Sequence, residues 1–527
     1  MNPRVVTQSI ASNSLAGAVI SGAAPPGWYE PIPDGAAAWR ARIEDVRRDF
    51  AQDWLDRLAT AIEATGTAKE RLAGSARGRG VVVTTGQQPG LFGGPVYTIS
   101  KALSALAVAD TLEQATGIPV APVFWAATDD TDFREASSTV VATAGGAQLL
   151  RIDHPEPLGR PMASMPLGEV ADQLDALVRS AGSVIDPVPL ELLERFYTHR
   201  ETVGSAYVGF LRALFAPLGI AVIDASHPAT RSAAAPILHE ALHHAGDIAA
   251  KIAERNRDLE AAGFSPQVQE VPGLSLVFGT RSGARRRIPI KAAGKQSDND
   301  DLGPNVLLRP VVERAILPTA AYIGGPAEIA YFAQLGPIAD VIHAKRPLIM
   351  PRWSATIIEP HVARILEKLH LEPDELRDPH EAESRIARER VPASVLQRLA
   401  STRAAIEQQL DELSEAVANS GALLGGAVTD GLRANLLRRL DRFERRLLAA
   451  AKKQHADIMQ EIATARGSLY PFGKPQERSL NFVPLLARYG PGLLKDMLTE
   501  ARAHAQRLLG GQAHRAPEQT VAARDRA

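Results

Sequence analysis

The sequence predicts an α/β protein that combines a parallel sheet with a long antiparallel helical hairpin. A β-branched run at 81–85, a helix-like segment at 95–116 and an apolar run at 120–127 together indicate a βαβ unit. Between 376 and 468, apolar residues at heptad spacing on both sides of a Gly-containing segment indicate two paired helices. Parallel strands are usually buried on both faces, so the sheet is expected to form the core.

Composition excludes several classes of protein. With 527 residues, the chain is long enough for three or four domain-sized units. A net charge of -1 provides no field that would favour nucleic acid or an anionic membrane surface. The chain has no cysteine, which excludes disulfides, a Cys nucleophile and thiolate metal sites and fits a cytoplasmic protein. No apolar stretch approaches the ~20 residues of a membrane-spanning helix, and 15–24 is interpreted as an irregular arm.

Further elements are predicted from periodicity and turn residues. They are a helix or helix pair at 36–73, strands within 140–152 and 220–225, helices at 206–218 and 227–262, a hairpin at 274–290 turning at Ser282-Gly283, a mobile polar loop at 292–305, and a strand at 320–323 followed by a helix from Pro326.

The helical hairpin is predicted from two apolar stripes. The first comprises Leu399, Arg403, Ile406, Leu410, Leu413 and Val417, and the second comprises Leu432, Leu436, Leu440, Phe443 and Leu447. A packing seam explains such stripes better than a cofactor site does. The turn is expected in SGALLGG, and the polar segment after 510 is expected to be disordered.

The first candidate site is the loop in VVVTTGQQPGLFGGPVYTISKAL. Gly86, Gly90, Gly93 and Gly94 permit positive φ and close backbone approach, and the helix that follows offers free N–H groups to an anion. Neither common phosphate-binding signature is present. The loop therefore either binds a ligand or forms a tight structural connection, and Gln87 and Gln88 favour a ligand because amides are costly in pure packing.

The second candidate site follows the second strand, where Asp129, Asp130 and Asp132 stand at the carboxyl edge of the predicted sheet. These carboxylates could orient an ammonium group, hold Mg²⁺ with nucleotide phosphates, or act as a base. A solvated acidic loop is the alternative.

The third candidate site repeats the strand–Gly–helix pattern at Gly324-Gly325-Pro326. Arg309 and Arg314 are candidate anion partners, and Glu328, Tyr331 and Gln334 share one face of the predicted helix. Two such units in one chain can face a single ligand crevice.

Two further patterns in the sequence are less specific. HEALH, from His239 to His243, matches a zinc hydrolase motif with Glu240 as base, but the sequence shows no convincing third ligand. The clusters Arg285–Arg287 and 438–446 lack interleaved aromatic residues, so solvated faces and helix ion pairs explain them better than nucleic acid does.

Taken together, several segments resemble the bacillithiol biosynthesis cysteine-adding enzyme family, BshC. They are TGQQPGLFGGPVYTISKAL, PVFWAATDDTDF, FSPQVQ, IGGPAEIAYFAQL, IMPRWSATII and KPQERSLNF, and they run in family order from about 54 to 494. The resemblance implies a Rossmann-like core with inserted connecting segments and a coiled-coil hairpin that forms a homodimer. The implied domains are 1–150 and 306–375 for the two parts of the core, 151–305 for the inserted segments, 376–468 for the hairpin, 469–510 for a return to the core, and 511–527 for the tail.

The implied reaction joins L-cysteine to the amine of glucosaminyl malate, with ATP activating the cysteine carboxylate and Mg²⁺ as a possible companion ion. On this interpretation the catalytic residues are Asp129, Asp130 and Asp132. The predicted nucleotide-binding residues are Gly86, Gln87, Gln88, Gly90, Gly93, Gly94, Tyr97, Lys101, Arg309, Gly324, Gly325 and Glu328.

One position departs from the family pattern. A His is expected where Thr131 stands, and a Thr cannot shuttle protons near neutral pH. The H-I-G-H and K-M-S-K-S sequences of related synthetases are also absent. A nucleotide-binding dimeric scaffold that kept the fold and lost or changed its catalysis is therefore the alternative function.

Overall fold

The computed structural model describes residues 2–10, 14–153, 159–296, 301–378, 380–419 and 426–510. The strands are β1 (Arg4–Thr7), β2 (Val81–Gln87), β3 (Val120–Ala126), β4 (Ser138–Thr143), β5 (Gly146–Arg151), β6 (Ala221–Asp224), β7 (Leu274–Arg281), β8 (Ala284–Pro289), β9 (Leu302–Pro304), β10 (Thr319–Gly324), β11 (Ile349–Pro351) and β12 (Ala355–Ile358).

The helices are α1 (Ser14–Ile20), α2 (Gly35–Arg48), α3 (Trp54–Ile62), α4 (Gly66–Arg77), α5 (Val96–Thr116), α6 (Phe133–Ala136), α7 (Ala171–Ala181), α8 (Val188–Phe196), α9 (Val203–Phe215), α10 (Pro228–His243), α11 (Ala245–Ala261), α12 (Arg309–Ile316), α13 (Pro326–Phe332), α14 (Leu335–Val341), α15 (Pro360–Leu369), α16 (Glu381–Glu389), α17 (Ala393–Asn419), α18 (Gly426–Gln454), α19 (Ala456–Leu469), α20 (Gln476–Ser479) and α21 (Val483–Leu509). Among the residues described, no helix combines the length and the apolar character needed to cross a membrane.

Contacts divide the chain into two compact units. The first comprises 1–141, 149–357 and the described residues from Glu477 onward, and the second comprises 142–148 and 358–476.

The first unit is built on a five-stranded parallel sheet in the order β11-β10-β2-β3-β6. When the five strands are numbered 1 to 5 along the chain, their order across the sheet from β6 is 3-2-1-4-5. The strand order therefore reverses between β2 and β10. Val81 to Val83 and the whole of β3 are buried, as both-face burial in a parallel sheet requires. The connecting helix α5 is also buried along most of its length and ends at Gly117, whose φ of 72° suits a left-handed cap. The predicted α/β class and βαβ unit are confirmed.

The predicted hairpin at 274–290 is also confirmed. β7 and β8 pair antiparallel, and the turn residues Ser282 and Gly283 both have positive φ, at 52° and 76°. Two consecutive residues with positive φ are typical of the tight turn that matches strand twist. β9 adds a third strand against β7.

Several sequence predictions need correction. The segment 36–73 contains three helices rather than one or two, because the chain breaks at Asp49 and again at Glu63, which is left-handed. The segment 227–262 is two helices that meet at His244. The supposed irregular arm contains α1, which buries Leu15 and Ala16.

The polar segment 292–305 is likewise more ordered than expected. It contains the end of a short 3-10 helix (Ile290–Lys295) and the strand β9, while 297–300 lie outside the described residues.

The second unit contains the predicted helical hairpin, formed by α17 and α18. Ion pairs between Arg403 and Asp441 and between Arg433 and Asp411 join the two helices in antiparallel register. Leu410 is buried between them, but Leu432 and Phe443 stay 43% and 54% exposed. The predicted hairpin is confirmed, although part of its apolar stripe faces away from the contact between the two helices. The predicted turn at 420–425 and the predicted tail at 511–527 lie outside the described residues.

Candidate functional site

The candidate site lies in the first unit, where the strand order of the five-stranded sheet reverses. Ligands of open α/β sheets bind outside the carboxyl ends of the strands at such a point. A cavity of about 570 Å³, which we call the main cavity, opens at the ends of β2 and β10. This volume falls within the usual range of small-molecule sites.

The main cavity gathers residues that the sequence predicted from three separate segments. The predicted residues that line it are Gly86, Gln87, Gln88, Tyr97, Lys101, Asp129, Asp130, Arg309, Gly325 and Glu328. Gly90, Gly93, Gly94, Asp132 and Gly324 are not among the lining residues. Ligand binding by any of them stays a prediction.

A buried ion pair links the first segment to the third. The Nζ of Lys101 lies 2.6 Å from Oε2 of Glu328. It also donates to the carbonyl of Gly86 at 2.8 Å and to Oε1 of Gln87 at 2.9 Å. These three acceptors match the three N–H donors of an ammonium group. Lys101 therefore fixes the end of β2 and its first glutamine against α13.

Glu328 receives further donors from its own strand and helix. The hydroxyl of Tyr322 donates to Oε1 at 2.5 Å, and the backbone N–H of Gly325 donates to Oε2 at 2.8 Å. Burial alone would raise the pKa of Glu328, but the positive charge of Lys101 and the donors around it hold that pKa below its usual value. Burial lowers the pKa of Lys101 despite the attraction of Glu328.

Arg309 connects this ion pair to a second buried carboxyl. Its Nη2 donates to the hydroxyl of Tyr331 at 3.0 Å, and its Nη1 lies 3.6 Å from Oε2 of Glu313. Glu313 is 1% exposed, and burial raises its pKa to about 7, although Arg309 and Thr84 partly offset the shift. Glu313 was not predicted from the sequence, although its spacing of four from Arg309 on an apolar helix was an available signal.

The glycine at position 86 allows Arg309 to approach the sheet closely. A Cβ there would lie 3.0 Å from Nη1 of Arg309 and 3.1 Å from Cβ of Trp125. At Gly324, a Cβ would lie 2.7 Å from Cδ1 of Ile349. At these two positions the small size of glycine permits close packing at the strand ends. Neither glycine has a positive φ, so backbone conformation does not explain them.

The adjacent glutamines belong to a polar chain along the edge of the main cavity. Gln87 donates to the hydroxyl of Tyr97 at 3.3 Å, and this hydroxyl donates to Oε1 of Glu135 at 3.3 Å. Gln88 also donates to Glu135. Burial and the neighbouring Asp132 raise the pKa of Glu135. Glu135 was not among the predicted site residues, although it lies in the FWAATDDTDFRE segment with the three aspartates.

The three predicted aspartates have different environments. Asp129 forms an ion pair with Arg285 at 2.8 Å. Asp130 accepts from the backbone N–H of Asp132 at 2.8 Å, and burial raises its pKa. Asp132 accepts from the backbone N–H of Glu135 and caps α6. In the ranges that the structure describes, no group of three or more His, Asp or Glu residues is placed to hold a metal ion, and Mg²⁺ stays a prediction.

The glycines at 90, 93 and 94 lie in one tight turn, in which Gly93 and Gly94 are buried. The N–H of Gly93 donates to the hydroxyl of Tyr197 at 2.9 Å, and φ at Gly93 is 86°. A Cβ at this position would lie 2.7 Å from Cε1 of Phe210. The structure thus supplies a packing reason for Gly93, which was one of the two interpretations of the loop.

The interpretation of Arg285–Arg287 as a solvated face is wrong for two of the three arginines. Arg285 and Arg287 line the main cavity, and the guanidinium of Arg285 lies 4.4 Å from the ring centre of Phe278. Arg286, between them, is exposed. Alternation along β8 puts residues 285 and 287 on one face, which is the signal that the sequence contained.

Arg352 and Arg478 also line the main cavity and were not predicted individually. Arg352 is 4% exposed and forms two hydrogen bonds with Glu477, at 2.7 and 2.9 Å. Its position in the quoted IMPRWSATII segment was the available signal.

HEALH lies at the end of α10. Glu240, which would be the base of a zinc hydrolase, lies 3.2 Å from Nε2 of His244. Among the described residues, neither this helix nor its surroundings place three or more potential ligands to hold a metal ion, so zinc hydrolysis gains no support.

Comparison with known proteins gives two family matches. The model for the N-terminal Rossmann-like domain of bacillithiol biosynthesis BshC matches 28–353, and the model for its C-terminal coiled-coil domain matches 355–508. The relatives named "Putative cysteine ligase BshC" include three from Solibacter usitatus, Koribacter versatilis and Salinibacter ruber. Those from Solibacter usitatus and Koribacter versatilis are each 31% identical, over 84% and 85% of this chain and 86% and 87% of their own. The relative from Salinibacter ruber is 26% identical over 91% of this chain and 97% of its own.

Proposed function

The chain belongs to the BshC family, and from this premise we propose that it is an ATP-dependent ligase that joins L-cysteine to the amine of glucosaminyl malate. The observation that carries the proposal is the main cavity at the strand reversal, organised by Lys101, Glu328 and Arg309. The family description names bacillithiol biosynthesis, and this supports the proposed choice of substrates.

The charges that line the main cavity support a nucleotide substrate. Six cationic side chains line it, against four carboxylates, so the lining carries a net positive charge. They are Lys101, Arg285, Arg287, Arg309, Arg352 and Arg478 against Asp129, Asp130, Glu135 and Glu328. Arg287 donates to the backbone carbonyl of Ser275 at 2.7 Å. Arginine binds phosphate oxygens through paired N–H groups.

The reaction requires activation of a carboxylate and removal of a proton from an amine. A C–N bond forms at the cysteine carboxyl carbon, and the C–O bond to the activating phosphorus-containing group breaks. We assign proton acceptance to the carboxylates of Glu135 and Asp130, because both line the main cavity and burial raises the pKa of both. A raised carboxyl pKa brings a base closer to the operating pH.

A direct test incubates purified protein with ATP, L-cysteine and glucosaminyl malate and measures the product by mass spectrometry. We expect a product whose mass equals the two substrates joined with loss of water. Chromatography of the nucleotides then shows whether ADP or AMP is released. No product, together with no nucleotide consumption, would contradict the proposed ligase.

Arg287 and Arg286 offer a matched pair of variants. Arg287→Gln should raise the KM for ATP by about tenfold, which corresponds to the ~1.4 kcal/mol of one charge-assisted contact. Arg286→Gln removes the same charge from the exposed face of β8 and should leave the KM unchanged. Equal effects of the two variants would show that only the overall field matters.

A non-catalytic nucleotide-binding scaffold is the second candidate. It is favoured by one observation, because Thr131 lines the main cavity at the position where the family pattern predicts a His. This candidate predicts that ATP raises the midpoint of thermal unfolding while no cysteine-dependent turnover occurs.

We also propose that the α17–α18 hairpin forms a homodimer. Leu413, Val428, Leu432 and Phe443 are each more than 40% exposed on this hairpin. Large apolar side chains left in water on a helical pair are typical of a further helix–helix contact.

A further inference from the structure

A second cavity lies beside the main cavity in the first unit. Its volume is about 270 Å³, below the usual range for drug-sized ligands and large enough for a small metabolite. It opens at the carboxyl ends of β3 and β6, where Trp125 and Ser226 line it, and α10 closes one side with Ala234 and Leu238.

The two cavities share a wall. Asp129, Arg285 and Pro304 line both of them. Arg285 connects the other two residues of this wall, because it donates to the carboxylate of Asp129 at 2.8 Å and to the carbonyl of Pro304 at 2.6 Å. A ligand in the second cavity would therefore lie next to a ligand in the main cavity, with one ion pair between them.

The charges of the second cavity differ from those of the main cavity. Among the described residues that line it, the ionised side chains are two arginines and two aspartates, and they form two pairs. Arg285 and Asp129 are largely buried, whereas Arg231 and Asp301 are about 40% exposed. Between them lie apolar side chains, including Ala234, Leu238 and Val312.

A cavity with balanced charge does not suit a polyphosphate. It suits a ligand that carries one positive and one negative group. The positive group of such a ligand can bind the aspartate of a pair while its negative group binds the arginine. The apolar side chains would contact a short, uncharged side chain of the ligand.

We propose that the second cavity binds the amino acid substrate as a small zwitterion, with its ammonium group directed to an aspartate and its carboxylate directed to an arginine. This inference rests on the proposed ligase function for the identity of the amino acid, L-cysteine. The shared wall places the cysteine carboxylate beside the main cavity, where the activating nucleotide is proposed to bind. Arg285 thus contacts both substrates.

The test measures L-cysteine binding by calorimetry, both to the protein alone and to the protein saturated with a non-hydrolysable ATP analogue. Ala234→Leu should fill the cavity and raise the Kd for L-cysteine by at least about tenfold, while the Kd for the analogue changes less than about twofold. Ser232→Leu, on the exposed face of the same helix, is the control and should change neither. Asp301→Asn, at a side chain about 40% exposed, should also weaken the binding of L-cysteine and provides a second variant if Ala234→Leu does not fold.

Two analogues test the chemical class of the ligand. Cysteamine lacks the carboxylate and 3-mercaptopropionate lacks the amine, so both should bind at least about tenfold more weakly than L-cysteine. If either binds as well as L-cysteine, the assignment to a zwitterion is wrong.

Failure of this inference can be distinguished from failure of the proposed function. If wild-type protein makes the ligated product and Ala234→Leu leaves the KM for L-cysteine unchanged, the second cavity is not the amino acid site, and the ligase stands. If L-cysteine binding depends on Ala234 but no product forms, the site stands and the ligase is refuted. Absence of L-cysteine binding to wild-type protein, with and without the analogue, overturns the inference.

Discussion

Breaking the Lys101–Glu328 ion pair should destabilise the first unit strongly. The two side chains are only 6% and 13% exposed and lie 2.6 Å apart. Lys101→Met leaves the carboxylate of Glu328 buried without its main counter-charge, and removal of one partner of a buried pair costs about 3–5 kcal/mol. Glu328→Gln removes the charge that stabilises Lys101. It also replaces one of the two carboxylate oxygens that accept from Tyr322 and Gly325 by an NH2 group, so it should cost at least as much.

The double variant distinguishes an ion pair from two independent contributions. With both charges removed, neither side chain is left as an unpaired buried ion, and the loss should fall short of the sum of the single losses by at least about 2 kcal/mol. Such a coupling energy is typical of residues that contact each other directly.

The assay is urea unfolding followed by tryptophan fluorescence. All five tryptophans, at positions 28, 39, 54, 125 and 353, belong to the first unit, so the signal reports on that unit. Lys251 and Glu254 are a comparison pair on the surface of α11, 2.8 Å apart but more than half exposed, and their removal should have much less effect. If the two losses at Lys101 and Glu328 add within about 0.5 kcal/mol, the reasoning is refuted.

Three further predictions follow from single residues. Glu313→Gln should stabilise the first unit by roughly 3 kcal/mol at pH 8, because the pKa of Glu313 is about 7 when folded and about 4.3 when unfolded, so its ionisation costs stability as pH rises between these values. Gly93→Ala should lower the free energy of unfolding by about 2–4 kcal/mol, because a Cβ at φ 86° is strained and meets Phe210. Phe443→Glu should shift the proposed dimer to monomer in sedimentation while leaving the helical circular dichroism unchanged.

Each of these has an outcome that contradicts it. For Glu313→Gln, the critical result is the difference from wild type at pH 5 and pH 8, and an equal difference at both would show that the carboxyl does not titrate in this window. For Gly93→Ala, unchanged urea unfolding together with weakened nucleotide binding would favour the ligand role of the loop over the packing role. For Phe443→Glu, an unchanged oligomeric state would exclude this face of the hairpin from the interface.

The sequence predicted the parts of the molecule that depend on local pattern. The βαβ unit and the hairpin at Ser282-Gly283 follow from apolar runs and turn residues that are close together in the chain. The breaks within 36–73 were missed, because Trp39 to Leu58 keep an almost continuous helical spacing across Asp49, and only packing shows where the helix ends. The order of the strands in the sheet could not be predicted from local sequence patterns either, because β10 pairs with β2 across more than 200 residues.

In the candidate site, too, the residues predicted from the sequence are those that belong to a local pattern. Gly86, Lys101 and Glu328 were found because each belongs to a strand–Gly–helix segment with a recognisable pattern. Arg285, Glu135 and Glu313 were missed as site residues because their importance comes from partners distant in sequence or from burial. The pair Asp129–Arg285, for example, joins residues that are 156 positions apart.

The pairing of β2 with β10 has a consequence for synthesis of the chain. Thr85 and Ile323 are partners in the sheet and are separated by 238 positions. At about 5–20 residues per second, the ribosome needs roughly 12–50 s to deliver β10 after β2. During that interval one edge of an apolar strand lacks its partner and can pair with another chain. A chaperone that covers this edge co-translationally would therefore increase the yield of folded protein, whereas truncation before β10 would yield an aggregating fragment without a site.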